Sequence, residues 1–225
     1  MAVSKVGRGI RASTVIGENT GRIIPIVDSP SVFAAKGSLS EWQAAFQPLL
    51  VGNPFLVLAV CFGLSAPLAG LLDLTLISIF TAGLSSIGKT MLAKVAISVY
   101  RAPLDLAQWA GTPNGLEAMA ALHCDVPLAL DELGSGSVRE VHGMIYRLSG
   151  GMTKPRSNSA GGLQKQRAIR CPIIANGEVT LEHHAKTAGQ SLRAGQNARM
   201  PTIWVNEKFG VYSDIGDADD GAAFA

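Results

Sequence analysis

Ten residues constrain this chain more than any others: Thr81-Ala82-Gly83-Leu84-Ser85-Ser86-Ile87-Gly88-Lys89-Thr90. They satisfy Gly-x-x-x-x-Gly-Lys-Ser/Thr, the P-loop pattern, at every required position. Gly83 and Gly88 let the backbone bend until the N–H groups of Ser85, Ser86 and Ile87 face phosphate oxygens. Lys89 brings one mobile positive charge to the β and γ phosphates of ATP, and the Thr90 hydroxyl is placed to ligate Mg²⁺. A helix starting near Gly88 and running through Met91 adds the positive end of its dipole. The flanks agree. Residues 74–80 (LTLISIF) are wholly apolar and β-rich, as a strand buried on both faces requires. Residues 89–100 carry apolar residues at helical spacing. Strand, glycine-rich loop and helix together outweigh the alternative of a Gly-rich turn between two core elements.

The second signal is residues 126–132, VPLALDE, an apolar strand ending in two acids. About forty residues after a complete P-loop, this is the Walker B form. Asp131 would hold the Mg²⁺ hydration shell, and Glu132 would orient and deprotonate the attacking water. Residues 168–175 predict another apolar strand, ending at Asn176-Gly177-Glu178. Asn176 is placed to touch the γ-phosphate and the water; its plainer reading is an Asn-Gly turn.

Composition narrows the class. With 48% apolar and only 16% charged residues, the chain suits a parallel sheet covered on both faces, with a subunit interface besides. A net charge of +2 leaves nucleic-acid affinity to local patches. The one sustained basic stretch is residues 150–170, with Lys154, Arg156, Lys165, Arg167 and Arg170 and no acid. It either binds phosphate backbones or forms a solvated loop. Cys61, Cys124 and Cys171 are scattered without metal spacing, which reads as reduced core thiols in a cytoplasm. Residues 42–72 carry no charge, yet Pro48, Pro54 and Pro67 and three glycines divide them, so they read as core helices rather than a membrane span.

In order, residues 1–37 read as an arm or the edge of an upstream domain, with 22–27 (RIIPIV) a candidate edge strand. Residues 38–212 form the P-loop domain. Ser38-Leu39-Ser40-Glu41 is a capping box that starts a helix ending near Leu50. Residues 54–72 form a second helix or broken pair, and both helices should cover one edge of the sheet. A short strand at 106–109 precedes a helix opening at 112–117. Glu117 there is either the partner of an Asn114 cap or a carboxylate near the γ-phosphate. Val138–Leu148 is amphipathic, 150–162 reads as loop, 179–190 as helix and 202–206 as a last strand. Arg193 is either an arginine acting on a neighbouring subunit's phosphates or a helix C-terminal residue answering the dipole. Arg199 enters the last strand and is expected to be held within its own subunit. Residues 213–225, with four aspartates, read as a flexible tail.

Six segments in order resemble a known family: GLSSIGKT, W-x-G-T-P-NGLE (109–117), LDEL around Asp131, GG-x-x-K-x-R (150–156), NGE at Asn176, and RAGQ-x-x-R (193–199). They are similar to the phage and prophage family catalogued as domain of unknown function 927, over residues 38–215. The chain departs at Thr153, where Gly is usual, and at Asn176, where Ser or Thr is usual. The resemblance implies a RecA/AAA-like P-loop fold and a helicase-like ATPase motor in phage or mobile-element replication. Single-stranded DNA, a homo-oligomeric ring or filament, and a neighbouring primase-type module are the implied partners. Lys89, Thr90, Asp131 and Glu132 take the ATPase roles, and Lys154 and Arg156 fall on the family's Gly-Lys-x-Arg segment. The rival expectation is a nucleotide-binding switch or assembly module that moves nothing, or an inactive prophage remnant.

Overall fold

The computed structural model describes residues 37–221, apart from 73, 75–77, 103–105, 137, 160, 188 and 207. The expected arm and its strand at 22–27 lie outside the described residues, as does the end of the tail at 222–225.

Five parallel strands form one sheet in the order β2-β3-β4-β1-β5. They are β1 (Ile79–Ala82), β2 (Ala107–Gln108), β3 (Leu128–Asp131), β4 (Ile173–Gly177) and β5 (Thr202–Trp204). The two-residue period of a strand divides the core between the two faces. Phe80, Leu128, Leu130, Ile173 and Ala175 face one way, against α4 (Pro113–Leu122), α5 (Val138–Leu148) and Leu181 of α6 (Leu181–Thr187). Ile79, Ala129 and Ile174 face the other way, against α3 (Lys89–Ser98) and α2 (Pro54–Leu72). This is the expected α/β P-loop architecture, and both faces are covered.

Several expectations are corrected. The N-terminal helices, α1 (Leu39–Leu50) and α2, do not cover a sheet edge. They lie outside α3 as an added layer on one face, with Trp42 of α1 donating from Nε1 to Ser98 Oγ at the end of α3 (3.2 Å). The capping box is formed as expected: Ser38 N donates to Glu41 Oε2 at 2.7 Å, and Glu41 N to Ser38 Oγ at 3.3 Å. The described residues of 150–162 carry no helix or strand, as expected of a loop, but isolated antiparallel bridges Met152–Ala168 and Ser157–Leu163 fold residues 152–168 into a hairpin, and β4 begins at Ile173, later than expected. A short helix, α7 (Ala194–Arg199), stands where none was expected. The tail packs rather than trails as far as it is described. Ile215 is buried in the core, and Asn53 at the α1–α2 junction accepts from the N–H groups of Ser213 (2.8 Å) and Asp214 (3.0 Å).

Helix α2 is continuous despite Pro67. A proline removes the N–H that would bond the carbonyl four residues back, here that of Gly63. The Tyr100 hydroxyl supplies the missing donor, reaching Gly63 O at 2.9 Å. Gly63 has no side chain because a Cβ there would collide with the Ala96 carbonyl of α3, so the two helices touch at this point. Burial pushes the Tyr100 phenol up to about 12, keeping it a donor across ordinary pH. Tyr100→Phe should therefore lower stability by about 1–3 kcal/mol, the cost of an orphaned acceptor. The midpoint of a urea unfolding curve measures this. Among the described residues α2 is the one helix long and apolar enough to cross a bilayer by length and composition, and its inner face is buried against α3.

Candidate nucleotide site

A cleft of about 750 Å³ lies at the C-terminal ends of the strands, lined by the P-loop, by Asp131 and Glu132 at the end of β3, and by Asn176 and Glu178 at the end of β4. Sheet order explains the convergence. β4 lies between β1 and β3, so the polar residue ending β4 stands between the phosphate loop and the acids. Asn176 is in register with Thr81.

The two motif glycines are required by what packs on them. A Cβ on Gly83 would lie 2.5 Å from Ile87 Cδ1 and 2.6 Å from the Val205 carbonyl oxygen. Gly88 has φ +85° at the start of α3, and a Cβ there would lie 2.6 Å from Val211 Cγ2. Side chains are excluded on both counts, conformation and space, at Gly88. The segment after β5 thus shapes the loop, and Val211 N donates to Ile87 O at 2.9 Å. Ser85, Ser86, Ile87, Lys89, Thr90 and Met91 all line the cleft, as expected from their place in the motif.

Lys89 is 8% exposed, and its Nζ donates to the carbonyls of Gly83 (2.9 Å) and Leu84. Burial lowers its pKa, while the charges of Glu178 and Asp131 act the other way. Thr90 Oγ1 donates to Asp131 Oδ1 at 3.3 Å, and the same oxygen accepts from Glu132 N at 3.1 Å. Glu132 N is shared with Asn176 Oδ1 at 3.3 Å. These acceptors hold Glu132 in a left-handed conformation, φ 57° and ψ 73°. That costs a non-glycine residue about 1–3 kcal/mol and persists only where the surroundings fix it. Asn176 is 4% exposed, and its Nδ2 has no hydrogen-bond partner among the described residues. A buried donor left open beside a cleft calls for an acceptor there, as an anionic oxygen would be.

The paired oxygens of Thr90 and Asp131 suit Mg²⁺, a hard cation that keeps most of its waters and needs few protein ligands. No group of three or more His, Cys, Asp or Glu gathers among the described residues, which excludes an all-protein cage there.

Among the lining residues that escaped the sequence reading are Phe209, Tyr212 and Gly221. They follow β5 in a segment with no periodic pattern, and only their docking on Ile87 and Gly88 brings them in. Glu178 also lines the cleft, where the sequence showed only the end of a turn.

Other candidates stand elsewhere. Glu117 neither caps α4 nor lines the cleft. The cap is Thr112, whose hydroxyl accepts from Gly115 N at 3.2 Å. Glu117 is 1% exposed and bonds the basic hairpin instead: its Oε2 accepts from Arg156 Nη2 at 2.6 Å, and its Oε1 from Lys154 N. Arg156 also reaches Asn114 Oδ1 at 2.9 Å. Arg193 is not at a helix C-terminus, so the dipole reading fails. It is the exposed N-cap of α7, its N–H bonded to Gln196 Oε1 at 2.8 Å, and it does not line the cleft. Arg199 is tied within its own subunit, donating to Gly195 O at 2.9 Å with its guanidinium 5.3 Å from the Tyr146 ring centroid.

This geometry coincides with a family match. Residues 3–168 match the family described as Domain of unknown function (DUF927). The chain belongs to that family. The match begins inside the segment expected to be an arm, and stops before Asn176 and Arg193. A solved structure described as "SCCmec type IV Cch - active helicase" aligns with a TM-score of 0.57 at 26% identity, over 78% of this chain and 32% of that one. The chain spans about a third of that protein's length. NtrX from Brucella abortus aligns more weakly. Its complex with ADP gives a TM-score of 0.41 at 19% identity over 74% of this chain and 40% of that one. Its complex with ATP gives 0.42 at 17% over 77% and 37%. Neither bears on function. No curated protein matches the chain. This DUF927 chain therefore has a helicase-like P-loop fold with its cleft at the sheet's C-terminal end.

Proposed function

We propose that this DUF927 chain is the Mg²⁺-dependent ATP-hydrolysing motor domain of a phage or mobile-element DNA replication protein. It would work in the cytoplasm as a ring or filament of identical subunits on single-stranded DNA, beside a primase-type module. The observation that carries the reading is one carboxylate oxygen. Asp131 Oδ1 accepts from both the Thr90 hydroxyl and Glu132 N, joining the P-loop to the candidate base.

In this reading Lys89 exchanges its two carbonyl partners for β and γ phosphate oxygens. The N–H groups of Ser85 to Met91 and the start of α3 hold the phosphates. Mg²⁺, held through Thr90 and Asp131, neutralises charge on them. Glu132 accepts the proton of the attacking water, and the open Asn176 Nδ2 orients that water or the γ-phosphate. The exposed Lys154, Lys165 and Arg167 of the hairpin meet the DNA phosphates. ATP turnover measured with and without single-stranded DNA tests the reading. Stimulation by DNA is expected; turnover indifferent to DNA would favour a switch or assembly module.

Arg193 completes the site from the neighbouring subunit, since it is exposed and outside its own cleft. Arg193→Ala and Lys89→Ala proteins should each be inactive alone. Mixed, they should recover activity, because some interfaces pair an intact Lys89 with an intact Arg193. A mixture of assembled protein that stays dead would reject a role across the interface.

A further inference from the structure

The hairpin's five basic residues divide into two kinds. Two are spent inside the subunit. Arg156 is paired with the buried Glu117 and with Asn114 of α4. Arg170 makes a two-pronged pair with Asp125, Nε to Oδ1 and Nη2 to Oδ2, each 2.7 Å. Asp125 is 5% exposed, sits just before β3, and its N–H bonds the Arg170 carbonyl at 2.8 Å. One carboxylate therefore grips each arm of the hairpin. The other three, Lys154, Lys165 and Arg167, are exposed and make no ion pair among the described residues.

The bridges Met152–Ala168 and Ser157–Leu163 pair residues whose numbers sum alike, so residue 153 stands opposite 167 and 156 opposite 164. Thr153 N donates to Arg167 O at 2.9 Å and Gln164 N to Arg156 O at 2.7 Å, so the pairing shifts phase between the two bridges. Lys165 and Arg167 stand on the second arm, both exposed, two residues and so about 7 Å apart.

We infer that Glu117 and Asp125 clamp this hairpin so that its exposed second arm, with Lys165 and Arg167, presents a preformed contact face for the phosphodiester backbone of a single strand. Arg156 and Arg170 are positioning residues there, not contacts. The sequence segments at 109–117 and 150–156 are on this account two halves of one device: the first supplies the buried carboxylate, the second the arginine it holds. A fixed hairpin need not be ordered when the strand arrives, which spares the entropy of ordering. The inference rests on the proposed DNA-dependent motor, and its test separates the two.

Binding of a fluorescent oligothymidylate to the full chain is measured against salt, beside amide hydrogen exchange across residues 152–168. Each single-strand phosphate contact contributes about 0.7 to the log–log salt slope. Lys165→Ala/Arg167→Ala should flatten the slope by about 1.4 while leaving exchange and DNA-free ATP turnover unchanged. Glu117→Gln and Arg156→Gln should do the reverse, weakening affinity and speeding exchange at an unchanged slope. Asp125→Asn asks the same of the other arm should Glu117→Gln fail to fold. A slope that falls in Arg156→Gln, or stays fixed in the Lys165/Arg167 variant, overturns the assignment of the contact face. Exchange unaltered in Glu117→Gln and Asp125→Asn overturns the clamp. A parent chain with no affinity for the oligonucleotide refutes the motor reading and the contact face together, while exchange still judges the clamp.

Discussion

Lys89→Ala is expected to abolish ATP turnover, by about 10²-fold or more, with the fold intact. The ammonium sits in a buried position where its present partners are two neutral carbonyls, those of Gly83 and Leu84. Carbonyls satisfy its hydrogen bonds but not its charge. A polyphosphate entering the loop would satisfy both, in a place where low exposure weakens screening. Burial already lowers the lysine's pKa, with Glu178 and Asp131 opposing that shift, so alanine removes a charged group held at some cost. The fold should tolerate the loss, because the loop is shaped by Val205, Val211 and the two glycines and not by this side chain. Binding of a fluorescent ATP analogue and phosphate release are the measurements, with circular dichroism as the check on folding. Unchanged phosphate release would sink the P-loop assignment.

What the sequence could show follows from where each constraint is local. The phosphate loop, its strand and its helix occupy one short stretch, and phosphate geometry dictates their residue types, so Gly83 to Met91 were readable. Asp131 and Asn176 were readable because apolar parallel strands must end at the same edge, where polar residues then gather. Glu117 was not. Its partners are Lys154 and Arg156, 37 and 39 residues away, and nothing in a helix's first turns announces a buried ion pair with a distant hairpin. The hairpin itself was hidden by composition. Residues 153–167 lack the β-branched and aromatic alternation that marks a strand, and the bridges between the arms among the described residues are isolated ones. Helix α2 misled in another way. Pro67 argues for a break, and the rescue comes from the Tyr100 hydroxyl, in the turn just past the end of α3. Arg193 was placed in the wrong local setting because Gly195 obscured α7.

Glu132→Gln should separate binding from chemistry, keeping ATP affinity while slowing turnover about 10²-fold or more. Glutamine preserves the size of the side chain and removes the proton acceptor. The backbone should stay as it is, because what holds Glu132 in its left-handed conformation is its own N–H, bonded to Asp131 Oδ1 and Asn176 Oδ1, and its carbonyl, which accepts from Ser135 Oγ at 2.7 Å. None of those bonds involves the carboxylate. That conformation turns the exposed side chain into the cleft wall, beside a buried donor left open, Asn176 Nδ2. The competing carboxylate is Glu117. It lies outside the cleft, occupied by the hairpin, so Glu117→Gln should retain DNA-free turnover. Single-turnover phosphate release by both variants decides between them. A dead Glu117→Gln beside an active Glu132→Gln would reverse the assignment of the base. A slow Glu132→Gln that still binds nucleotide would place the proton transfer after β3, at the residue whose N–H is tied to both the P-loop partner Asp131 and Asn176.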